Sequence, residues 1–442
     1  MASITNTLAA GLERLAPDLA NYYSFDNSLA AMLQPGKAER VSRYLYRTSY
    51  KKHQGGSSRK FSADGGTLGV GSSPSYGSFT AGFIYTTLNF KITQEQIDLS
   101  ETSEQARVNT LTDILSNAMQ TLSQHDNIYL FNNGKGTLTN ASSAISGSTI
   151  LTFDSATDGL KTNQLFIGQQ VAVWDSTLAT QRAGGPFHIS GINHATKTVT
   201  LDAAVTSLTQ GDILTVYGLE AYGPPTPTSF SSTWPGGGLT TAAGLTGDSF
   251  RHGLWYVNDD TTSNYYLAKL KSSFPEFLPQ NQDAGNLPLS YSVVESLKND
   301  IIQARGPEVV SQMYGVLHGK TLQHLQDAGV AITRDLASAN PTLKDLMPEA
   351  KYGQVYNVSG VPHFVSRCQD RARIDYFIKG NWTRVEARPA GFHKAPDSGS
   401  KFFPVRSSDA VTAAWQMFLI QGMDWVCEDP GAGGFIDNIA IS

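Results

Sequence analysis

The chain has 442 residues, of which 40% are hydrophobic and only 16% charged, with 41 glycines and 19 prolines. A charged share near 25% is usual, so this is a weakly charged, turn-rich chain, and its length passes the point at which one core stops growing: two or more domains are expected. The formal net charge of -5 provides no overall basic field for phosphates, which excludes tight nucleic-acid binding as the main role. No run reaches the ~18 apolar residues of a membrane span and no cationic leader precedes an apolar stretch, so a soluble protein made in the cytoplasm is expected. Cys368 and Cys427 stand outside any CxxC pattern; buried thiols are expected, not a disulfide framework or a zinc site.

Residues 1–36 open on Ile4, Leu8, Leu12 and Leu15, one helical stripe that Pro17 ends. RVSRYLYRTSY at 40–50 alternates as a strand, and a second strand is predicted from Phe79 to Ile92. The Gly, Ser and Lys-rich stretch between them is far longer than the usual hairpin loop of about two to five residues, and its tip cannot order itself by burying its own side chains. Along this projection Arg40, Arg43, Arg47, Lys51, Lys52, Arg59 and Lys60 face little local acid, Glu39 excepted. Two readings stand, a solvated basic surface or contacts to acidic surface on a second copy.

Next, Val108, Leu111, Leu115, Ala118 and Leu122 recur at three and four residues, predicting a long amphipathic helix over 103–127. From 143 to 222 the character changes to short β segments separated by turns, which predicts a small β-barrel or sandwich inserted between αβ material. A Pro, Gly, Ser and Thr-rich connector runs from 223 to about 245. Beyond it, Ser292 and Glu295 predict a capping box, PEVVSQMYGV a strand and GKTLQHLQDAG a helix ended by Gly329; the final third reads mostly as strand.

Candidate chemistry is sparse. GVLHGKT at 315–321 follows a predicted strand and opens a helix, the setting of a phosphate loop, but it has three residues between its glycines where that loop needs four. GGTLGVG at 65–71 lies in the hairpin tip with no helix after it. The nine histidines are scattered, without HxH or HExxH spacing; His318 and His324 fall on different helical faces, and His363 and Cys368 point oppositely on a predicted strand. Asp259 and Asp260 read as turn caps. No catalytic, cofactor-binding or metal-binding residue is expected, and no enzyme activity.

The order of an amphipathic arm, a long two-stranded projection, a long helix and αβ and β domains resembles the major capsid proteins of tailed bacteriophages, the Hong Kong ninety-seven-type fold. The resemblance implies an α+β chain with an N-terminal arm (1–36), an extended hairpin loop (37–95), a peripheral domain with its spine helix (96–142), an inserted β domain (143–222), a connector and axial αβ domain (223–365) and a return to the peripheral domain (366–442). PEVVSQMYGVLHGKTLQHLQDAG is similar to the axial strand and helix, and MFLIQGMDWVCEDPGAGGFIDNI to closing peripheral strands. The implied role is an icosahedral shell around double-stranded DNA, assembled in the host cytoplasm and located in the virion. The implied partners are other copies in hexamers and pentamers, a separate scaffolding protein (because Met1 opens directly on the arm), a portal and decoration proteins, with only non-specific contact to DNA and none to membrane. A β-rich tail or attachment protein is the alternative, favoured by the inserted domain and the Gly and Ser content; an enzyme with a nucleotide site at Lys320 ranks third.

Overall fold

The computed structural model describes residues 39–40, 45–50, 77–82, 84–93, 117–118, 121–122, 124–128, 130–131, 137–144, 147–152, 165–176, 180–182, 185–193, 196, 198–217, 229–230, 239–240, 253–260, 265–266, 269–327, 333–335, 355–366, 368–393, 403–406 and 411–440. The arm 1–36 and residues 54–76 of the hairpin tip 54–78 lie outside them; Gly77 and Ser78 open β3. Strand β1 (Glu39–Arg40) pairs with β2 (Leu45–Tyr50), and β2 with β3 (Gly77–Gly82), both antiparallel. The register sets Tyr46, Thr48 and Tyr50 opposite Ala81, Phe79 and Gly77, so the alternation read from the sequence becomes the two faces of a ribbon. One expectation changes here. The strand predicted from Phe79 to Ile92 is two strands with different partners: β3 stays in the ribbon, while β4 (Ile84–Thr93) joins the chain's C-terminal region.

Helical backbone occurs at 117–118, 121–122, 124–128 and 130; the upstream part of the predicted helix, with Val108, Leu111 and Leu115, lies outside the described residues. Ala118 and Leu122 are buried as their spacing predicts, and Ile128 extends the same element into the core of the next unit.

That unit is a six-stranded sheet of β5 (Thr137–Asn140), β6 (Ser148–Thr152), β7 (Gln170–Trp174), β8 (Phe187–Asn193), β9 (Thr198–Val205) and β10 (Ile213–Val216), in the order β5-β10-β7-β8-β9-β6. The first residues of β8 pair with β7 and its later ones with β9. At the two ends of the order, Ser142 donates its N–H and its hydroxyl to the Thr152 carbonyl at 2.9 and 3.0 Å, so the edges meet. One apolar core fills the curve, including Leu138, Val171, Val173, Phe187, Ile189 and Leu214. β5 lies upstream of residue 143, and the sheet needs it.

Downstream come two short pairs, β11 (Ser229–Phe230) with β12 (Leu239–Thr240) and β13 (Tyr265–Tyr266) with β14 (Lys269–Leu270). A seven-stranded mixed sheet follows, built from β15 (Gln280–Asp283), β16 (Met313–Leu317), β17 (Thr333–Asp335), β18 (Val355–Val358), β19 (Val361–Val365), β20 (Ile374–Ile378) and β24 (Gly434–Asp437). Its order is β15-β24-β20-β16-β19-β18-β17. Pairs β15–β24 and β16–β19 are parallel and the others antiparallel. The helix Tyr291–Arg305 lays Val294, Leu297 and Ile301, spaced three and four apart, into this sheet's core. Ser290, not Ser292, is the residue at its N-cap, and Glu295 turns to other partners, so no capping box forms. The predicted strand from Pro307 begins only at Met313: Pro307–Gln312 is a 3₁₀ helix, its start favoured by a proline whose missing N–H costs nothing there. The helix Gly319–Asp327 follows as predicted.

The C-terminal 366–442 region divides between two sheets. β23 (Val411–Cys427), 17 residues long, is the spine of a four-stranded sheet, with β4 along one side and β21 (Trp382–Phe392) and β22 (Phe403–Arg406) along the other. β20 and β24 belong instead to the seven-stranded sheet. The ending read as closing peripheral strands therefore contributes its last strand to the same sheet as β16.

Candidate assembly surface and interior polar network

The seven basic residues singled out from the sequence divide sharply. Arg40 and Arg47 sit on β1 and β2, where Arg40 opposes Tyr46, and Arg47 opposes Glu39 on one side and Thr80 on the other. Arg43, Lys51, Lys52, Arg59 and Lys60 lie outside the described residues. The ribbon thus brings one acid, Glu39, into register with a candidate arginine.

The interior holds a polar network that no motif announced. Asp375 on β20 is fully buried, and Arg373 grips it with Nε and Nη2, the latter 2.9 Å from Oδ1. The guanidinium also lies 4.1 Å from the Phe435 ring centroid and 5.3 Å from that of Trp255. Gln369 donates to the other Asp375 oxygen at 2.7 Å and accepts from the Trp255 indole at 3.0 Å. Asn258 completes the set: its side-chain amide N–H groups reach Asp375, the Tyr376 carbonyl and the Gly434 carbonyl, while its backbone carbonyl accepts from Arg373. A Cβ at Gly433 would collide with Asn258 Oδ1, so the amide requires that glycine.

Lys271 is the second surprise. Its ammonium is fully buried and donates to the carbonyls of Tyr256, Val257 and Asp259, capping the short helix Leu254–Val257 from beneath. Burial lowers its pKa to about 8, against the pull of Asp259 and Asp260. The adjacent carboxylates keep a turn role only in part: Asp260 accepts from Asn281 on β15, and Asp259 contributes its backbone. Tyr266, with its hydroxyl between the Cys427 carbonyl at 3.1 Å and the Cys427 N–H at 2.7 Å, ties the same region to the end of β23.

GVLHGKT proves to be a packing motif. Gly315 lies on β16 opposite His363, and a Cβ there would enter the imidazole ring. The buried His363 donates from Nδ1 to the Val361 carbonyl at 2.8 Å, which leaves Nε2 to accept from the Tyr376 hydroxyl at 2.9 Å. Burial holds this ring neutral, with a pKa of about 4. His318 Nδ1 accepts from the Lys320 N–H at the helix start, Thr321 donates to the Arg371 carbonyl at 2.6 Å, and Lys320 Nζ meets Gln323. Every polar position of the motif is engaged within the fold. Cys368 lies past the end of β19, so His363 and Cys368 do not share a strand, and both cysteines are buried. Among the described residues no group of three or more His, Cys, Asp or Glu side chains is placed to hold a metal, and no helix is long and apolar enough to cross a membrane.

A second clamp joins the helix Tyr291–Arg305 to the β18–β19 turn. Ser359 and Gly360 take positive φ values of 57° and 78°, a tight primed hairpin turn. Burial alone would raise the Glu295 carboxyl, but donors from Lys298, Ser359 and Tyr291 outweigh it and hold the pKa at about 2.

Long antiparallel strands beside a helix, a ribbon leading off one of those strands, and a separate mixed sheet with flanking helices form an α+β architecture compatible with shell-forming subunits. Comparison with solved structures bears on this fold. The structure aligns with the capsid asymmetric unit of cyanophage A-1(L) at a TM-score of 0.51 and 12% identity, over 93% of this chain and 92% of that one. It also aligns with the capsid of an empty GTA particle (TM-score 0.42, 10% identity, 94% and 90% coverage) and with the satellite phage P4 procapsid (TM-score 0.38, 12% identity, 97% and 91% coverage). The shared fold rests on the cyanophage subunit, whose TM-score exceeds one half. No protein-family model and no curated protein sequence matches the chain.

Proposed function

We propose that this chain is a major capsid protein, copies of which assemble into the icosahedral head of a tailed bacteriophage around packaged double-stranded DNA. The observation that carries the reading is the fold shared with the cyanophage capsid subunit along 93% of the chain. Sequence supports it independently: an amphipathic arm and a hairpin tip that cannot bury their own groups need neighbours, and in a homo-oligomer the neighbour is another copy. The proposed contacts run through Arg40, Arg43, Arg47, Lys51, Lys52, Arg59 and Lys60. The proposed partners are other copies in hexamers and pentamers, a separate scaffolding protein, a portal and decoration proteins. With a net charge of -5, contact with DNA is non-specific. The role is structural, in the virion, after assembly in the host cytoplasm. The six-stranded sheet is an accessory domain set beside the helix.

Electron microscopy of the concentrated, purified protein tests the reading. Closed shells or tubes are expected; a protein that stays monomeric, or forms fibres that bind host cells as a tail or attachment protein does, overturns it. Deleting 54–78 should leave a folded, soluble subunit that forms no normal shells, and wild-type-like particles from that deletion would remove the tip from the mechanism.

A further inference from the structure

The outer face of the six-stranded sheet carries a row of side chains in register on adjacent strands. Tyr217 continues β10 and donates its N–H to the Gln170 carbonyl at 3.1 Å, Gln170 on β7 opposes His188 on β8, and His188 bonds Asp202 on β9. Residues directly opposite share a face, and strands lie about 4.8 Å apart, so the row runs about 14 Å across the sheet. All of it meets water: Tyr217 is 43% exposed, the His188 and Asp202 side chains are 48% and 44% exposed, and Gln170 is exposed as well.

Exposed polar side chains ordinarily bond water and keep their rotamers. These bond one another. Asp202 Oδ1 accepts the His188 backbone N–H and Oδ2 meets His188 Nδ1, both at 2.9 Å, while His188 Nε2 meets the Gln170 amide nitrogen at 3.1 Å. An amide nitrogen only donates, so Nε2 accepts and Nδ1 donates to Asp202. The backbone N–H of His188, and then its ring, hold the Asp202 carboxyl below its usual range. The row is thereby fixed before a ligand arrives, and what it still offers is mostly acceptors: the remaining lone pairs of both Asp202 oxygens, and Gln170 Oε1. Apolar surface borders it. Tyr217 presents a ring at one end, and Ile150 on β6, 48% exposed, opposes Thr200, which shares the outer face with Asp202 two residues along β9.

These features select among ligands. An acceptor-rich row whose one formal charge is a carboxylate repels anions. Both carboxylate oxygens already bond His188, and among the described residues no group of three or more His, Cys, Asp or Glu is placed to hold a metal. Tyr217 and Ile150 offer far less surface than the roughly 800 Å² per partner of a stable protein interface. A polyol chain satisfies each requirement, since its hydroxyls donate to the acceptors and its C–H faces lie on the aromatic ring.

We propose that the outer face of the six-stranded sheet is a binding site for a neutral polysaccharide, held by hydrogen bonds to Asp202 and Gln170 and by stacking on Tyr217. His188 is a positioning residue that fixes both polar partners. The site is complete in one subunit, so the inference does not rest on shell formation.

Affinity electrophoresis of the free full-length subunit tests it, in native gels cast with galactomannan, dextran or a mixed-linkage β-glucan, and with alginate as the anionic control. Retardation by at least one neutral polymer and none by alginate is expected. Asp202→Ala should raise the apparent dissociation constant about 10-fold, the scale of a lost hydrogen bond to a charged group. Tyr217→Ala should weaken binding to a similar degree, whereas Tyr217→Trp, which keeps an aromatic face, should bind like the parent. Thermal melting checks each variant; if Tyr217→Ala melts early, Asp202→Ala and Gln170→Ala decide. No retardation by any neutral polymer, equal retardation by alginate, or retardation unchanged in the variants that melt normally overturns the proposal. A parent that is not retarded, with particles lost in the same variants, would instead make the row a contact between copies. Every sugar measurement is made on the free subunit, so a failure of the shell reading leaves it intact.

Discussion

The six-stranded and seven-stranded sheets solve the same problem with opposite means. The first draws all its strands from 137–216, alternates buried and exposed residues along much of β8 and β9, and fills its core with apolar side chains. Its main charged pair, Arg182 with Asp212, lies at the rim with the arginine side chain 22% exposed. The second recruits strands from Gln280 to Asp437, buries every residue of β16 and β20, and carries Asp375, His363, Asn258 and Lys271 inside. A local sheet covered on one face needs only its hydrophobic pattern to choose its register. A sheet covered on both faces and assembled from distant segments presents near-uniform apolar strands that could slide or swap, and its buried polar contacts accept one arrangement of those segments. The specificity role is our inference from where the network lies.

The sharpest way to break this comparison is Arg373→Met, which leaves Asp375 buried with its strongest partner gone. The expected loss is about 3–5 kcal/mol, confined to the seven-stranded unit. Urea unfolding followed by fluorescence in variants that keep Trp174 or Trp255 as the one tryptophan of the six separates the units, because Trp174 sits on β7 and Trp255 beside Arg373. A shift of the Trp174 transition as large as that of the Trp255 transition would mean the two sheets unfold as one body, and the contrast would fail.

Gly315→Ala probes the same unit more gently. The added methyl meets the His363 ring, an overpacking worth about 1–3 kcal/mol, and His363→Ala in the same chain should recover part of the loss. The histidine also gives the unit a pH signature. Its folded pKa, about 4, lies below the ordinary value of 6.5, so between these limits the unfolded chain binds the extra proton. Stability is therefore complete above the ordinary value and lost as pH falls through that window. His363→Gln should flatten this slope without abolishing it, since His318 and His125 are lowered to about 4 by burial and act with the same sign. An unchanged slope would show that His363 is not neutral in the folded state.

For the six-stranded sheet the expected effects are smaller and local. A fragment spanning 137–217 should unfold cooperatively on its own, whereas 143–222 lacks β5 and its fully buried Leu138 and should melt lower. A 137–217 fragment that stays molten would show that the sheet depends on the body. Within it, Asp212→Ala removes the acceptor of Arg182 and Thr209 at a cost of about 1–3 kcal/mol. Burial opposes the ionised Asp212, but those donors prevail and lower its pKa, so its contribution is present above the ordinary carboxylate range and lost as pH falls through the folded value.

What the sequence disclosed follows the same divide. Periodicity exposed the ribbon strands, the helical burial of Ala118 and Leu122 and the β character after residue 143, because each is encoded within a few neighbouring residues. It missed the change of partner after Gly82, since β3 and β4 read as one alternating run and only β23 separates them. It also missed the polar network: Trp255 and Gln369, or Asn258 and Asp375, are joined in space across more than a hundred residues with no spacing rule between them. Lys271 was hidden for another reason, as a lysine in a loop ordinarily reads as solvated. For the proposed assembly surface, sequence supplied seven basic residues, of which the backbone places Arg40 and Arg47 on one ribbon.

The smallest expected effects per contact belong to that ribbon, and they extend the comparison from the inside of the subunit to its outside. If the basic residues touch acidic surface on a second copy, each exposed pair contributes only about 0.2–1 kcal/mol. Repeated over many identical interfaces, this still biases assembly, because each added contact forms between subunits already held together. A Debye length of about 8 Å at physiological ionic strength means that shell formation should slow or weaken as salt rises. The decisive variant carries Arg40→Glu, Arg43→Glu and Arg47→Glu together, read by thermal melting of the free subunit and by particle yield. On the ribbon, Glu39 opposes Arg47 directly, so reversal at 47 places two acids in register, a local penalty on the same scale as the contact it removes. Near-normal melting with lost particles is the outcome that assigns the arginines to contacts between copies. Unchanged particle yield would make the ribbon a solvated basic surface, and a collapsed melt would make the arginines part of the subunit's own fold, as Arg373 is in the seven-stranded sheet.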